Sequence, residues 1–307
     1  MRPRLRAEHR PRDEDRGGDV ELVRLRRHER HARLQALPLT LTLVDGIEAD
    51  SLPISDRGLA FGDGIFRTLL VRAGRPLNWR WHLARLRADC ATLALPLPAE
   101  ALLLDELARA APGDAVAKII LTRGSAGRGY AMPAHAAARR IVMSFAPPAY
   151  PAEHARDGVT VHRCSLVLSQ QPRLAGAKTL NRLESVLARS EWSDAAIAEG
   201  LLGDADGRVV EGTMSNLFVV SAGRVSTPAL GRCGVVGAQR ERVRELLGAR
   251  CEERDIAWNA LEEADEAFLT NSLIGAWPIA RVAHRQWAPG AVTREVQALL
   301  AEQDARA

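Results

Sequence analysis

A chain of 307 residues that is 47% hydrophobic and 26% charged has the composition of a soluble globular protein and is long enough for two domains. It contains no apolar run of the roughly 18–20 residues that a membrane-spanning helix needs, and its N-terminus has no apolar signal-peptide core. Four widely spaced cysteines form no Cys-x-x-Cys pair, so we expect reduced thiols in a cytoplasmic protein.

Residues 1–37 carry the whole positive surplus of the chain. They hold 11 Arg against 7 Asp and Glu, which leaves 31 basic and 31 acidic residues in the remainder. A basic arm for nucleic acid is one interpretation of this segment. Because acidic residues are interspersed and apolar periodicity is mostly missing, we favour a disordered extension or a start codon assigned too early. We therefore place residues 1–40 outside the fold and expect no nucleic-acid partner.

The first half of the fold is expected to be a smaller α/β domain over residues 41–147. Hairpin turns at Asp45-Gly46 and Ala73-Gly74 flank a loop with three glycines at 58–64. A proline-containing segment at 148–157 is typical of an interdomain linker. The other predicted elements are helices at 79–94 and 98–110 and strands at 116–122 and 140–145.

The strand at 116–122 leads into a loop that contains three glycines and two arginines, Arg123 and Arg128. Such a loop can present guanidinium groups to carboxylates. Glycine loops with arginine are also common on protein surfaces, so the loop taken alone leaves both interpretations open.

Residues 158–307 are expected to form a larger domain in which strands and helices alternate. The predicted strand at 159–168 leads to the Lys178 segment, a hairpin covers 200–210, and a helix begins in the segment 234–240. Small residues at that helix start leave backbone N–H groups free to hold a phosphate. The glycine pattern fits neither a Walker loop nor a dinucleotide fingerprint. The sequence shows no zinc-spaced His/Cys cluster and no Gly-x-Ser-x-Gly elbow, and we expect no bound metal.

Only two lysines, Lys118 and Lys178, accompany 40 arginines. Lysine can lose its proton near neutral pH and form an imine with a carbonyl, whereas arginine stays charged. Lys118 lies in an apolar strand and is interpreted as an ordinary strand charge. Lys178 precedes a helix predicted at 179–189, whose leucines, including Leu183 and Leu187, share one face. A surface lysine at a helix start is the alternative, and Lys178 alone does not decide between the two.

Three chemical groups accumulate in the second half of the chain. They are the imine-forming lysine, the helix start suited to phosphate, and a carboxylate at a strand end, Glu211. These are the requirements of pyridoxal phosphate, which needs a lysine for its aldehyde, donors for its phosphate and an acid beside its ring nitrogen.

The order of the motifs resembles that of the fold-type IV pyridoxal-phosphate enzymes, a family that includes branched-chain and D-amino-acid aminotransferases. The resemblance covers residues 41–307, and within the family it is greatest to the lyases that act on aminodeoxychorismate. The shared motifs are Asp56-Arg57-Gly58 with Phe61-Gly62-Asp63-Gly64, His82-Leu83-Ala84-Arg85-Leu86, Arg123-Gly124-Ser125 with Gly127-Arg128-Gly129-Tyr130, Lys178-Thr179-Leu180-Asn181-Arg182-Leu183-Glu184, Glu211 with Ser215-Asn216-Leu217-Phe218, Gly234-Val235-Val236-Gly237, and Thr270-Asn271-Ser272-Leu273.

The resemblance implies a mixed α/β (α+β) fold of two domains, with the cofactor between the smaller N-terminal and the larger C-terminal domain. It also implies a homodimer with its sites near the subunit interface. Lys178 is implied as the catalytic residue that bonds the cofactor aldehyde, and Glu211 as the partner of the pyridine nitrogen. Arg128 and Asn271 are implied as substrate-binding residues. The implied cofactor-binding set is Arg85, Lys178, Glu211, Ser215, Asn216, Val235, Val236, Gly237 and Ser272.

The reaction implied by the resemblance converts 4-amino-4-deoxychorismate to 4-aminobenzoate and pyruvate, a step of folate biosynthesis. Because lyases and aminotransferases share nearly all of these motifs, transamination of a D- or branched-chain amino acid is the alternative. Two guanidinium groups in the loop at 123–130 suit a dicarboxylate substrate, which favours the lyase. A non-enzymatic binding protein that uses the basic arm is the least favoured interpretation.

Overall fold

Two β-sheets with their helices make up the described part of the chain, which in this computed structural model covers residues 39–133 and 137–306. The predicted extension at 1–40 lies almost entirely outside the described residues, and its disorder stays a prediction. No described helix is both long enough and apolar enough to span a bilayer. The prediction of a mixed α/β fold is confirmed.

The first sheet contains six antiparallel strands and is accompanied by three helices. The strands are β1 Leu39–Val44, β2 Ile47–Glu48, β3 Gly64–Arg72, β4 Arg75–Pro76, β5 Ala115–Thr122 and β6 Arg139–Phe145, and the helices are α1 Arg57–Phe61, α2 Trp79–Leu93 and α3 Glu100–Ala110. The strand order is β2-β1-β6-β5-β3-β4. Strands at 64–72 and 115–122 pair along their whole length, from Gly64 with Thr122 to Val71 with Ala115.

Alternation along β3 builds the core between the first sheet and its helices. Ile65 and Leu69 point to the same face because side chains alternate along a strand. They are fully buried against Leu86 of α2 and Leu103 of α3. Residues on the opposite face, such as Phe66, are only half-buried. This second face therefore keeps part of its apolar surface accessible in the single chain.

The second sheet has nine strands and mixed direction. Its strands are β7 Val159–Leu168, β8 Ile197–Asp204, β9 Val209–Gly212, β10 Asn216–Ser221, β11 Arg224–Pro228, β12 Cys251–Arg254, β13 Glu266–Asn271, β14 Gly275–Val282 and β15 Arg285–Gln286. The order is β12-β11-β10-β13-β14-β7-β8-β9, with β15 paired to β14. The helices of this half are α4 Ala152–Arg156, α5 Leu183–Arg189, α6 Ala238–Leu247, α7 Trp258–Glu262 and α8 Ala291–Arg306, with a short 3₁₀ helix at Gly248–Arg250.

The segment around Lys178 joins the edge of β3. The amide of Phe66 donates to the carbonyl of Lys178 at 3.0 Å, and the amide of Leu180 donates to the carbonyl of Gly64 at 2.9 Å. The first sheet therefore holds the backbone of the lysine by two hydrogen bonds. Extended pairing of this kind is incompatible with helical dihedral angles at the same residues.

The helix predicted at 179–189 accordingly begins only at Leu183, and its N-terminal part was predicted wrongly. Leu183 and Leu187 lie on α5 with 74% and 58% of their surfaces exposed. The predicted linker at 148–157 contains the short helix α4. The two sheets divide between residues 145 and 159, while the domain boundaries themselves stay a prediction.

Arg123 stabilises the fold from inside the first half. It is 3% exposed, and its Nε and Nη2 donate to the two carboxylate oxygens of Asp63 at 2.8 and 3.0 Å. Its guanidinium also donates to the carbonyls of Leu93 and Ala94 at the end of α2. The expectation that both arginines of this loop present guanidinium groups to a ligand is therefore wrong for Arg123. Arg128, in contrast, is exposed.

We expect Arg123→Met to lower the free energy of unfolding by about 3 kcal/mol, because it removes the donor from Asp63 and from the carbonyls of Leu93 and Ala94. Arg128→Met is the matched variant in the same loop, and it should change this free energy by less than about 0.5 kcal/mol. Urea unfolding followed by circular dichroism measures both values. Equal, small changes in the two variants would show that Arg123 does not stabilise the fold.

Candidate active site

Lys178 lies where the second half of the chain pairs with β3. Its amine nitrogen is 4.6 Å from the centre of the Phe66 ring. The residue keeps some solvent contact, but protein closely surrounds the amine. Burial lowers the pKa of Lys178 to about 8, and the positive charges of Arg67 and Arg182 act in the same direction. A lysine in this environment gives up its proton far more readily than a surface lysine does.

Glu211 is the buried carboxylic acid of the site. It lies on β9 with 5% exposure, and its Oε2 accepts the amide of Val235 at 2.8 Å. Burial raises the pKa of Glu211 to about 7, although the Val235 amide and the charges of Arg182 and Lys178 oppose this shift. The carboxyl group is therefore prepared to accept a cationic N–H partner.

Lys178 and Glu211 line one cleft without pairing with each other in the described part of the chain. The cleft is also lined by Arg182, Met214 and Ser215. The amine and the carboxyl group thus line a common space, the amine on the segment that pairs with β3 and the carboxyl group on β9.

The backbone amides of Val235, Val236 and Gly237 were predicted to hold a phosphate, but each already has an acceptor. The Val235 amide donates to Glu211, and the Val236 amide donates to the carbonyl of Gly176 at 2.9 Å. The Gly237 amide donates to Oδ1 of Asn216 at 3.1 Å. These residues shape the turn, and direct phosphate contact by their amides stays a prediction without support from this geometry.

Free amides occur directly after this turn, at the start of α6. The first hydrogen bond of the helix runs from the Glu241 amide to the Gly237 carbonyl, so Ala238 and Gln239 precede the hydrogen-bonded part of the helix. No described side chain caps them. The helix dipole adds positive potential at the same place. A helix start was predicted within the segment 234–240, and α6 begins there at Ala238, while the identity of the phosphate donors stays a prediction.

Arg85 brings a cation to the same region. It lies on α2, and its Nη2 is 3.4 Å from both Oδ1 of Asp89 and the carbonyl of Gly176. Both contacts are long, and its buried Nε has no partner among the described residues. The structure therefore brings Arg85 next to Gly176, whose carbonyl also accepts the Val236 amide, and the phosphate-binding role of Arg85 stays a prediction.

Ser215 and Asn216 fix loops at the cleft. Oγ of Ser215 donates to Oε2 of Glu199 at 2.8 Å, and Nδ2 of Asn216 donates to the Val235 carbonyl at 2.8 Å. Glu199 also accepts the amides of Thr213 and Met214. Burial raises the pKa of Glu199. Sequence analysis made no prediction for Glu199, which stands between small and apolar residues near the start of β8.

The predicted substrate residues lie in two loops. Arg128 is exposed and has no hydrogen bond or ion pair with any described residue. Asn271 accepts the amides of Leu273 and Ile274 at its Oδ1, and its Nδ2 donates to the carbonyl of Met214 at 3.2 Å. Ser272 lies in the same turn between β13 and β14. The structure brings Asn271 against the cleft-lining loop but places Arg128 in no contact with it.

Outside the cleft, one group of possible metal ligands comes together. Atoms of His162, Cys164 and Glu191 lie within 4.8 Å of one another. The Glu191 carboxylate already accepts the amides of Ser165 and Leu166 at 2.6 and 2.9 Å. These two hydrogen bonds to β7 explain why Glu191 lies beside His162 and Cys164. The expectation that the protein binds no metal stays a prediction.

The cleft thus combines an easily deprotonated amine and a buried carboxyl group, and α6 begins three residues after Val235, which lines the cleft. An amine of this kind forms an imine with an aldehyde, and the helix start with Arg85 attracts an anion. The geometry suits a ligand that carries an aldehyde, a phosphate and a basic ring nitrogen on one frame.

Comparison with known proteins gives an independent view of the same residues. A family described as "Amino-transferase class IV" matches residues 64–282, a range that contains Lys178 and Glu211. An aminodeoxychorismate lyase from Vibrio harveyi is 34% identical over 244 residues, which cover 78% of this chain and 90% of the relative.

Solved structures share the fold. A 4-amino-4-deoxychorismate lyase from Pseudomonas aeruginosa is 49% identical with a TM-score of 0.82, over 85% of this chain and 98% of that chain. A hypothetical aminotransferase from Mycobacterium tuberculosis in a PLP-bound form is 22% identical with a TM-score of 0.72, over 86% and 98% of the two chains. At that level of identity the second structure shows only the common fold.

The pKa of Lys178 can be measured directly because the chain has only two lysines. We expect the cofactor-free protein, with lysine isotope-labelled at Cε, to give two NMR titrations, one of which has a midpoint near 8 and belongs to Lys178. Below that pH the amine is charged, and above it the amine is neutral. Lys118→Arg assigns the signals. A Lys178 midpoint near 10.5, the value of an ordinary lysine, would contradict the described environment.

Proposed function

This chain belongs to the class IV aminotransferase family, and we propose that it is a pyridoxal-phosphate-dependent lyase that converts 4-amino-4-deoxychorismate to 4-aminobenzoate and pyruvate. The observation that carries the proposal is the 49% identity with the Pseudomonas aeruginosa lyase. The site geometry alone suits lyases and aminotransferases equally. The proposed place of the reaction is folate biosynthesis.

The residues of the cleft fit the parts of pyridoxal phosphate. The Lys178 amine suits the aldehyde, and the amides of Ala238 and Gln239 with the Arg85 guanidinium suit the phosphate. Glu211 suits the ring nitrogen, since only its Oε2 is used within the described residues. The Lys178 amine has no ion pair with a described residue. Arg85 shares its one carboxylate partner among those residues, Asp89, with Arg67.

Lys178 is proposed as the base of the reaction. When bound, pyridoxal phosphate supplies an electron sink for the electron pair left when the substrate carbon beside the nitrogen loses its proton. The Lys178 amine accepts that proton, because burial and two neighbouring arginines keep its pKa near 8. A lysine with an ordinary pKa would be almost fully protonated at neutral pH and unable to do so.

Glu211 is proposed to stabilise positive charge at the far end of the cleft. Its carboxyl group is buried and makes no ion pair with another described residue, so a cationic N–H next to it would lower its raised pKa and form a charge-assisted hydrogen bond. The Val235 amide holds the carboxyl group in position at Oε2. Glu211 thus favours the protonated ring nitrogen on which the electron sink depends.

The proposed reaction is balanced without a second substrate. The proton that Lys178 takes from the ring carbon is matched by the proton that the methylene carbon of the enolpyruvyl group gains. The carbon–oxygen bond to the ring breaks, the group leaves as pyruvate, and the ring becomes aromatic. No oxidant is consumed, and no 2-oxo acid is needed as an amino-group acceptor. Transamination, the alternative reaction, does need that acceptor.

Substrate contacts are proposed for Arg128 and Asn271. The Arg128 guanidinium is exposed and unpaired among the described residues, so it can meet a carboxylate. Its loop is anchored, because Arg57 donates to the carbonyls of Gly129 and Tyr130. Asn271 is held at the rim of the cleft by its bond to the Met214 carbonyl. We also propose that Ser272, in the same turn, contributes to the phosphate site.

A homodimer is proposed because two apolar surfaces remain accessible in the single chain. The outer face of the first sheet leaves Phe66 and Ile120 half-exposed, and α5 exposes Leu183, Val186 and Leu187. Contiguous apolar surface of this kind marks an interface in many proteins. We expect the full chain to sediment as a dimer, and a fully active monomer would refute the assignment of these surfaces.

A cytoplasmic location is also proposed. The four cysteines, Cys90, Cys164, Cys233 and Cys251, are all free, and burial raises the pKa of each thiol. Free, unreactive thiols are typical of proteins kept in a reducing compartment. Recovery of the active protein only from a periplasmic or secreted fraction would contradict this proposal.

The proposed function predicts that purified protein incubated with 4-amino-4-deoxychorismate alone releases 4-aminobenzoate and pyruvate in equal amounts. The measurement is product analysis by chromatography, with a coupled assay for pyruvate. Addition of 2-oxoglutarate should leave the rate unchanged. If the protein forms no 4-aminobenzoate but transfers the amino group of leucine or D-alanine to 2-oxoglutarate, the aminotransferase alternative is correct.

Arg128→Ala belongs to the same experiment. We expect it to lower kcat/KM roughly 30–100-fold, because a charge-assisted hydrogen bond to the substrate is worth about 2–3 kcal/mol. The absorbance of the bound cofactor should not change. Arg173→Ala is the matched control, since Arg173 is also exposed and its side chain makes no described hydrogen bond. Equal rates for both variants would remove Arg128 from the substrate site.

A further inference from the structure

Arg67 occupies a position where the strand pattern calls for an apolar residue. It lies on β3 between Ile65 and Leu69, on the face that packs against the helices, and it is 2% exposed. Burying a guanidinium group among apolar side chains is costly unless it is paired. The contacts of Arg67 therefore indicate what its charge is used for.

The partner of Arg67 is Asp89, which it shares with Arg85. The Nη2 of Arg67 donates to Oδ2 of Asp89, and the Nη2 of Arg85 lies 3.4 Å from Oδ1 of the same carboxylate. The Asp89 side chain is fully buried. Two guanidinium groups around one carboxylate leave a net positive charge at this place. Burial lowers the pKa of Arg67 only to about 10, so it stays charged at neutral pH.

The two arginines also reach the turns on either side of the proposed phosphate site. The Nη1 of Arg67 donates to the carbonyl of Val236 at 3.1 Å, and Arg85 reaches the carbonyl of Gly176 at 3.4 Å. Gly176 and Val235 are joined by a parallel bridge, and the Val236 amide donates to Gly176. Gly176 lies in the turn that precedes Lys178, and Val236 lies in the turn that precedes α6.

Arg67 is next in the chain to the residue that pairs with the lysine segment. The amide of Phe66 donates to the carbonyl of Lys178 at 3.0 Å, and the positive charge of Arg67 lowers the pKa of Lys178. Its Nε, like that of Arg85, is buried without a hydrogen-bond partner among the described residues. The neighbouring His82 does not add charge, because burial lowers its pKa to about 3.

We propose that Arg67 is a positioning residue of the cofactor site, which joins Asp89 and Arg85 to the Val236 turn and directs positive charge towards Lys178. The charge keeps the Lys178 amine neutral at a pH where it can act. The link to the Val236 turn fixes the start of α6 relative to the lysine. The second effect rests on the proposed function, whereas the first is a property of the chain by itself.

Four charged groups besides the lysine bear on this effect. Arg67 and Arg182 lower the pKa of Lys178, while Glu211 and Asp89 raise it. Arg67 lies on β3 and Arg182 just before α5. Glu211 lies on β9 and Asp89 on α2. Removing Arg67 and removing the charge of Asp89 must therefore shift the lysine in opposite directions, which simple damage to the fold would not do.

The test is the NMR titration of labelled lysine in the cofactor-free protein. Arg67→Met is expected to raise the pKa of Lys178 by about 1 or more, and Asp89→Asn to lower it. Arg67→Lys restores the charge and should bring the pKa of Lys178 back towards the wild-type value. The new lysine at position 67 gives one additional resonance in this variant. An unchanged Lys178 in Arg67→Met, or shifts of the same sign in Arg67→Met and Asp89→Asn, overturns the proposal.

A matched control separates charge from the general loss of a buried arginine. Arg242 is 1% exposed and pairs with Asp304 on the far side of α6. Arg242→Met should leave the titration of Lys178 unchanged. If Arg67→Met does not fold, Asp89→Asn decides by itself, because an unchanged or raised pKa of Lys178 in that variant also overturns the proposal.

Binding of pyridoxal phosphate to the cofactor-free protein provides the second readout. Arg67→Met should weaken it about tenfold or more, since the Val236 turn loses a charged donor. Arg67→Lys should recover only part of this loss, because an ammonium group cannot hold both acceptors as a planar guanidinium does. If the wild type binds no pyridoxal phosphate, the proposed function fails, while the lysine titration still decides the role of Arg67. Unchanged binding in Arg67→Met refutes the link to the turn.

Discussion

The backbone pairing of residues 178–180 with the first residues of β3 is the constraint on which the site depends. Through it, the first sheet holds the lysine and the second sheet supplies Glu211 and the start of α6. Gly64 makes the approach possible, because a Cβ atom there would lie 2.5 Å from the Leu121 carbonyl and 2.8 Å from the Leu180 side chain. The same pairing delays α5 and leaves the lysine on extended backbone.

The chemistry of the site depends on two buried ionisable groups that do not pair with each other. Lys178 and Glu211 are both driven towards their neutral forms by burial, and both line the same cleft. Had they formed an ion pair, each would have stabilised the other and neither would be available. The fold keeps them apart with hydrogen bonds to other groups, such as that from Val235 to Glu211. A ligand that offers an aldehyde and a basic ring nitrogen satisfies both residues.

The sequence predicted the mixed fold and most elements of the first half, since these depend on local patterns, and it singled out Lys178 because lysine is rare in this chain. It failed where tertiary pairing overrides local preference. The helix expected at 179 starts later because residues 178–180 pair with β3. Arg123 is buried in an ion pair with Asp63, and no local sequence pattern links these two residues. Arg67, Asp89 and Glu199 gave no motif, because their roles arise from contacts between distant segments. The roles of the predicted site residues remain proposals.

The central claim is that Lys178, and not Lys118, bonds the cofactor. The measurement that tests it most directly is borohydride reduction of the protein loaded with pyridoxal phosphate, followed by peptide mapping, in a chain that offers only these two lysines. The account predicts one phosphopyridoxyl group per chain, on the peptide that contains Lys178, and none in Lys178→Arg. A label on Lys118, or no stable label on either lysine, would contradict it.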